Sequence, residues 1–346
     1  MGSASKTRIL LIGSGAVGTM AAYALEAGGQ AEVTAVLRSN FDVVTRQGFS
    51  IDSIDHGRGI TGFRPSHIRK TIPHVTEEHL PPFEYVFVST KNVPDVHPNV
   101  LDIIAPAVTP GHSSIVLFQN GLNLEKPIIE HFPDNVVLSG ISLIGANETS
   151  HGHIKHDEPD VNKIGPFPNQ SVPAEQAEAS AKDFVNIYSA CGKVDCQYDD
   201  DVAFTRWRKL VYNSSYNVVA AIIGMDVIRM RMSRIVIDDL VLPAMKEIRA
   251  TAKAAGVDLP EGLEQKFITI DSHEGWFMPS MGQDMLKGNF VEMENIVGEP
   301  VREAERLGVQ TPVLKTCYGI LRGLQLRTKE ARGLWKPEFE KDNPYQ

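Results

Sequence analysis

An apolar run that breaks into regularly spaced glycines limits this chain more than any other feature. Residues 10–25 read LLIGSGAVGTMAAYAL, with Gly13, Gly15 and Gly18 in the pattern G-x-G-x-x-G. The first glycine permits a tight turn out of a strand, the second lets backbone approach a pyrophosphate, and the third lets helix and strand pack closely. The open N–H groups of the following helix then meet the phosphates. The run predicts a dinucleotide site over Gly13, Ser14, Gly15, Ala16, Val17 and Gly18, with a purely structural turn as the alternative.

The end of the second strand decides which dinucleotide fits. Sites that prefer NAD place an Asp or Glu there, on the ribose hydroxyls. This chain has VLRSN, so the cation Arg38 stands at the position, with Ser39 and Asn40 adding hydrogen-bonding groups. A 2'-phosphate is welcomed by this chemistry, and the expected cofactor is NADPH. The competing reading makes Arg38 a solvated surface charge.

β-rich runs at 8–13, 32–37, 48–53, 85–90, 113–118 and 135–140 alternate with helix-like stretches, the pattern of a parallel sheet covered by helices. Their near-continuous apolar content suggests strands buried on both faces. Residues 151–173 turn to Gly, Pro and His and read as a hairpin or loop. A helix over 174–190 and a last strand over 193–201 close the first domain. Beyond it, helical spacing dominates 202–223, 231–255, 260–271, 288–307 and 311–329, placing the boundary near residue 200.

At 346 residues and 42% hydrophobic, the chain is long enough for two domains. Its 34 Lys and Arg against 43 Asp and Glu leave a formal charge of -9, without a basic stretch interleaved with aromatics, so no nucleic-acid partner is expected. No apolar run approaches the roughly 20 residues a bilayer requires, and no signal segment is read at the start. A cytoplasmic protein without membrane contact is the expectation. Met1–Ser5 are small and polar and carry no readable function. Cys191, Cys196 and Cys317 form no CxxC pair and are expected as reduced thiols. His151, His153 and His156 lack a matching carboxylate or Cys set, so no metal is expected. Met225, Met230, Met232, Met278, Met281 and Met285 are expected to fill gaps between helices. Asp199–Asp201 are expected to cap the helix that follows.

The stretch WRKLVYNSSYNVVAAI, residues 207–222, places Lys209, Asn213 and Asn217 at i, i+4 and i+8. On an α-helix these drift by only about 80° while spanning roughly 12 Å, so they form one polar stripe. Leu210, Val211, Val218, Val219 and Ile222 make much of the remaining surface apolar. A polar stripe on a buried helix needs partners or a ligand. The alternative leaves the asparagines structural and Lys209 in solvent. Farther on, PSMGQDMLKGNFVEMENIVG, residues 279–298, presents Ser280, which could serve as a helix cap, and Glu292, which could be a surface carboxylate.

Taken together, IGSGAVG, STK ending at Lys91, QNG at 119–121, WRKLVYNSSYN, PSMGQD and Glu292 resemble the ketopantoate reductase (2-dehydropantoate 2-reductase) family in order and approximate spacing over nearly the whole chain. The resemblance implies an α/β Rossmann-type dinucleotide-binding domain, residues 1–200, followed by an all-α substrate and catalytic domain, residues 201–346, resembling that of 6-phosphogluconate dehydrogenase. It implies NADPH-dependent reduction of ketopantoate to pantoate, on the route to pantothenate and coenzyme A. It makes Lys209 the group that protonates the ketone and Glu292 its acidic companion. Asn213 and Asn217 would hold substrate oxygens and Ser280 the carboxylate. Asn120 would face the nicotinamide and substrate, and Lys91 the cofactor or substrate entrance. A homodimer is left open.

This chemistry stands on physical grounds as well. Hydride arriving at a ketone carbon leaves an alkoxide, which a cationic Lys209 both stabilises and protonates. Glu292 favours the charged ammonium while burial opposes it. Three departures bear on the substrate: Val297 stands before Gly298 where the family often has Asn, Trp276 and Phe277 add bulk ahead of Ser280, and residues 55–82 are longer than in compact bacterial members. Trp207 and Trp276 are read as either cleft-lining or core residues. Two other functions remain open: a reductase of another 2-oxoacid, and a non-catalytic NADPH-binding sensor. Retention of Lys209, Asn213, Ser280 and Glu292 argues against the sensor.

Overall fold

Thr7–Ile12 form the first strand, β1, and its alternation assigns successive side chains to opposite faces of a sheet. Ile9 and Leu11 face one core and Leu10 and Ile12 the other, and all four are buried. A strand this apolar on both faces belongs in the middle of a covered sheet. The computed structural model describes residues 5–346, so the reading of Met1–Ser5 falls, for residues 1–4, outside the described residues. The chain divides into two units, one ending at Thr205 and one beginning at Arg206.

The first unit contains β1, β2 (Ala31–Val36), β3 (Phe49–Ser53), β4 (Gly57–Phe63), β5 (His67–Arg69), β6 (Tyr85–Val88), β7 (Ser114–Leu117), β8 (Val137–Ser142), β9 (Gly145–Ser150), β10 (His153–Glu158), β11 (Val161–Pro166) and β12 (Asp195–Tyr198). Eight of them form one sheet in the order β12-β11-β8-β7-β6-β1-β2-β5. All its pairings are parallel except β8 with β11. From β1 the chain first builds outward through β2 and β5, then returns to the other side with β6. This reversal opens a crevice at the carboxyl ends of β1 and β6, where open α/β sheets bind ligands.

Helices α1 (Ala16–Ala27), α2 (Phe41–Gln47), α3 (Val100–Ile104), α4 (Lys126–His131) and α5 (Ala174–Ser189) complete this unit. α1 and α5 cover one face, packing Leu25, Phe184 and Tyr188 against Ile9, Leu11 and Phe87. α3 and α4 cover the other with Ile104 and Ile128.

Residues 48–53 do not join the large sheet as the sequence suggested. β3 buries Phe49, Ile51 and Ser53 but turns Ser50 and Asp52 outward, the two-residue alternation of a strand with one wet face. It lies in a second sheet, β4-β3-β10-β9, which packs Phe49, Ile51 and Ile154 onto Met20 of α1 and Val44 of α2. Residues 151–173, read as a hairpin or loop, supply β10 to this sheet and β11 to the large one.

The second unit is all helical: α6 (Val202–Tyr212) crosses into it, followed by α7 (Val218–Ile223), α8 (Val227–Ser233), α9 (Leu242–Ala254), α10 (Leu263–Ile268), α11 (Ser280–Leu286), α12 (Glu299–Leu307) and α13 (Pro312–Ala331). Wider π turns interrupt the helices at Asn213–Asn217, Ile237–Val241 and Glu294–Gly298. The helix expected from 231 is broken at Arg234, whose φ of 56° ends α8. Asp201 accepts from the Phe204 N–H at 2.9 Å, capping α6. Met230 and Met281 fill the interior, whereas Met232 is 69% exposed and fills nothing. Among the described residues no helix is long and apolar enough to cross a membrane.

Candidate active site

The glycine loop follows β1 directly. Gly13 adopts φ +109°, and a Cβ there would stand 2.5 Å from the Thr90 amide nitrogen. A Cβ on Gly18 would lie 2.0 Å from the Gly13 carbonyl oxygen. Both glycines are therefore required by the fold itself. Gly15 differs: its φ is -76°, and apart from its own chain neighbours nothing lies within 4 Å of a Cβ placed on it. It is the N-cap of α1, which has no side-chain cap and no acidic residue in its first turn. The N–H groups at that terminus have no intrahelical partner, and the helix dipole adds positive charge there. Among these glycines, only Gly15 faces open space at an anion-attracting helix end.

Polar side chains hold this loop in place. Ser89 donates to the Gly13 carbonyl at 2.7 Å, and Ser14 donates to the Val36 carbonyl at 3.2 Å. Asn40, expected to add a hydrogen-bonding group beside Arg38, is buried instead and donates to the Ser14 carbonyl at 2.8 Å and to Glu148 at 3.2 Å. Arg38 and Ser39 are exposed just past β2. β5 runs parallel to β2 with Arg69 opposite Val36, bringing Lys70 alongside as a second cation, its ammonium 5.6 Å from the centre of the Phe41 ring. The sequence reading missed Lys70 because it lies on a three-residue strand inside the long 55–82 stretch.

Lys91 is exposed in the turn after β6, and Asn120 is half-buried in the turn after β7. Gln119 donates to the Thr90 carbonyl at 2.7 Å, linking these two turns. The first unit thus gathers Gly13, Ser14, Gly15, Ala16, Val17, Gly18, Arg38, Lys91 and Asn120 around the carboxyl ends of β1, β2, β6 and β7.

In the second unit, Lys209 lies in the last turn of α6 and Asn213 and Asn217 bound the π turn that follows. Because a π turn is wider than an α turn, it reduces the drift of the stripe between the asparagines, and such turns recur at functional sites. Both asparagines are buried. Asn217 donates to the Ser280 hydroxyl across 3.4 Å. Ser280 is the first residue of α11, after the N-cap Pro279, and makes no cap bond; Gln283 folds back onto the Met278 carbonyl at 2.9 Å. The capping alternative for Ser280 therefore does not hold.

Glu292 is buried, 4% exposed, just ahead of the third π turn. Two contacts set this segment. Gln325 accepts from the Val291 N–H at 2.9 Å, and Ser214 donates to the Ile296 carbonyl at 2.6 Å, joining the two π turns. Tyr212 donates to Asp271 at 2.6 Å and Tyr216 to the Ile268 carbonyl at 3.1 Å, anchoring the asparagine turn from its other side. Glu292 acts electrostatically on the half-buried Lys209.

Lys209 has its pKa lowered to about 8, chiefly by burial and then by the neighbouring Arg206 cation, against Glu292, which raises it. A lysine so placed is still charged at neutral pH and loses its proton as pH rises through about 8. Sequence reasoning passed over Arg206, although it falls on the same stripe, three residues before Lys209. Trp207 is buried, whereas Trp276 is 62% exposed with the Arg229 guanidinium 4.4 Å from its ring centre.

His151 and His153 are exposed, and the buried His156 meets the Ser53 hydroxyl at 2.8 Å through Nδ1. Among the described residues no three His, Cys, Asp or Glu side chains form a group suited to a metal ion.

Comparison with known proteins bears on the whole arrangement. Residues 9–169 match the family profile described as Ketopantoate reductase PanE/ApbA, and residues 201–325 its counterpart, Ketopantoate reductase PanE/ApbA C terminal. The chain is 36% identical to the uncharacterized protein YDL144C of Saccharomyces cerevisiae, over 95% of this chain and 97% of that one. It is 23% identical to a 2-dehydropantoate 2-reductase of Nostoc sp., covering 94% and 97% of the two chains. Among solved structures, the 2-dehydropantoate 2-reductase of Methylococcus capsulatus is similar with a TM-score of 0.77 and 28% identity, over 93% of this chain and 97% of that one.

Proposed function

Because this chain belongs to the ketopantoate reductase family, we propose that it reduces ketopantoate, a 2-oxoacid, to pantoate with NADPH, serving pantothenate and coenzyme A synthesis. The first unit is the dinucleotide-binding part and the second carries the substrate and the proton donor. The observation that supports this reading most is the surroundings of Lys209: a lowered pKa of about 8, a buried Glu292 acting on it, and the Asn217–Ser280 pair in the same unit.

The first unit suits the dinucleotide. The open space over Gly15 admits a pyrophosphate against the α1 N–H groups, which carry no competing side-chain cap. Arg38 is exposed where an NAD-type carboxylate is missing, and suits a 2'-phosphate. When bound, the dinucleotide supplies the hydride. Lys209 then stabilises the developing alkoxide and delivers the proton to the same oxygen. Glu292 keeps the ammonium charged before the reaction, while burial keeps its proton transferable. Asn213 and Asn217 hold substrate oxygens, and Ser280, at the start of α11, binds the carboxylate.

Replacing the donor tests the assignment. Lys209→Ala should lower turnover by about 100-fold or more while leaving NADPH binding intact. Unchanged turnover would overturn it.

A further inference from the structure

Arg206 is 2% exposed, a burial unusual for an arginine. It stands three residues before Lys209 on α6, where side chains are neighbours on one helix face. Two charged groups therefore act on Lys209 from different elements: Arg206 from its own helix, and Glu292 from the segment leading into Glu294–Gly298. Their effects oppose one another. Burial weakens the hold of Lys209 on its proton most; without Arg206, Glu292 would hold the ammonium more tightly charged and make it a poorer proton donor.

We propose that Arg206 is a positioning residue for the reaction: its buried guanidinium offsets the Glu292 carboxylate and keeps the Lys209 ammonium ready to release its proton to the substrate oxygen. A guanidinium is suited to this because it stays charged at any working pH, so its field on Lys209 is permanent. The carboxylate draws the proton toward Lys209 and the arginine pushes it away. Donation and recharging of Lys209 then both remain accessible near neutral pH. This proposal rests on Lys209 being the proton donor.

The pH profile of kcat/KM reads it directly, since that profile reports groups of the free enzyme. Reduction needs protonated Lys209, so the unmodified protein should lose activity as pH rises through about 8. In Arg206→Met the alkaline limb should move to higher pH, and turnover below it should fall about 3- to 10-fold because the donor is a weaker acid. Arg206→Lys, which keeps a positive charge, should restore the limb toward its original place. A limb that stays put in Arg206→Met, or one that moves as far in Arg206→Lys, would overturn the proposal and leave Arg206 a packing residue. Should Arg206→Met fail to fold, Arg206→Gln removes the charge while retaining hydrogen-bonding groups, and the same profile decides. Lys209→Ala distinguishes the two levels: if it retains turnover, the donor assignment itself fails, whereas an inactive Lys209→Ala with an unmoved Arg206→Met limb rejects only the role of Arg206.

Discussion

Gly18 and Gly13 approach so closely that a Cβ on the first would stand 2.0 Å from the carbonyl oxygen of the second. A Cβ on Gly15, between them, would meet nothing within 4 Å beyond its own chain neighbours. The glycines of one loop therefore serve two purposes, and two substitutions separate them. Gly18→Ala should cost at least about 2 kcal/mol of stability, because backbone must move to admit the methyl group. Gly15→Ala should leave the melting temperature within about 2 °C. It should nonetheless weaken NADPH binding about 10-fold or more, since the methyl group fills the space left for phosphate. Thermal melts and cofactor titrations on both variants check this. Full NADPH affinity in Gly15→Ala would make the loop a structural turn.

Arg38 carries the prediction about cofactor choice. Removing one charge-assisted contact to a 2'-phosphate should raise the KM for NADPH about 10- to 100-fold in Arg38→Ala. NADH, lacking that phosphate, should be little affected. Steady-state kinetics with both cofactors decide the matter, and equal effects would return Arg38 to the role of a solvated charge.

Burying Lys209 also costs stability, in a pH-dependent way. Its folded pKa, about 8, lies below the 10.5 of an ordinary lysine, so between these values the unfolded chain binds more protons than the folded one. Stability contributed by this group therefore rises with pH across that window, and the penalty is fully present below about pH 8. Lys209→Met removes the half-buried charge and should raise the melting temperature at pH 7 by a few degrees, on the order of 1 kcal/mol. The advantage should shrink as pH approaches 10. Melts of both proteins from pH 6 to 10 measure it, and an advantage that does not change with pH would show that the ammonium is not desolvated.

Much of this was legible in the sequence where a residue's role follows from its immediate neighbours along the chain. β1, the glycine loop and α1 are encoded in one continuous stretch, and α-helical spacing groups Lys209, Asn213 and Asn217 along one helical segment. Long-range pairings were not legible. Phe49–Ser53 has enough apolar content for a buried strand, and only its partners β4 and β10 place it in the smaller sheet. Asn40 sits beside Arg38 in the chain, yet its amide turns inward to the Ser14 carbonyl, a contact set by how α2 and the loop fold together. Arg206 was overlooked because an arginine inside a helix ordinarily reads as a solvated charge; its burial is a property of the folded unit. The π turns at 213–217 and 294–298 likewise have no composition signal of their own, yet they adjust the spacing that the asparagine stripe depends on.

The most direct test follows the absorbance of reduced nicotinamide in the purified protein with NADPH or NADH, offering ketopantoate beside several other 2-oxoacids. Saturable oxidation of NADPH by ketopantoate is expected, faster than with the other acids and faster than with NADH. Binding of NADPH without any turnover of ketopantoate would contradict the proposed reaction, and a clear preference for another 2-oxoacid would move the assignment to that substrate.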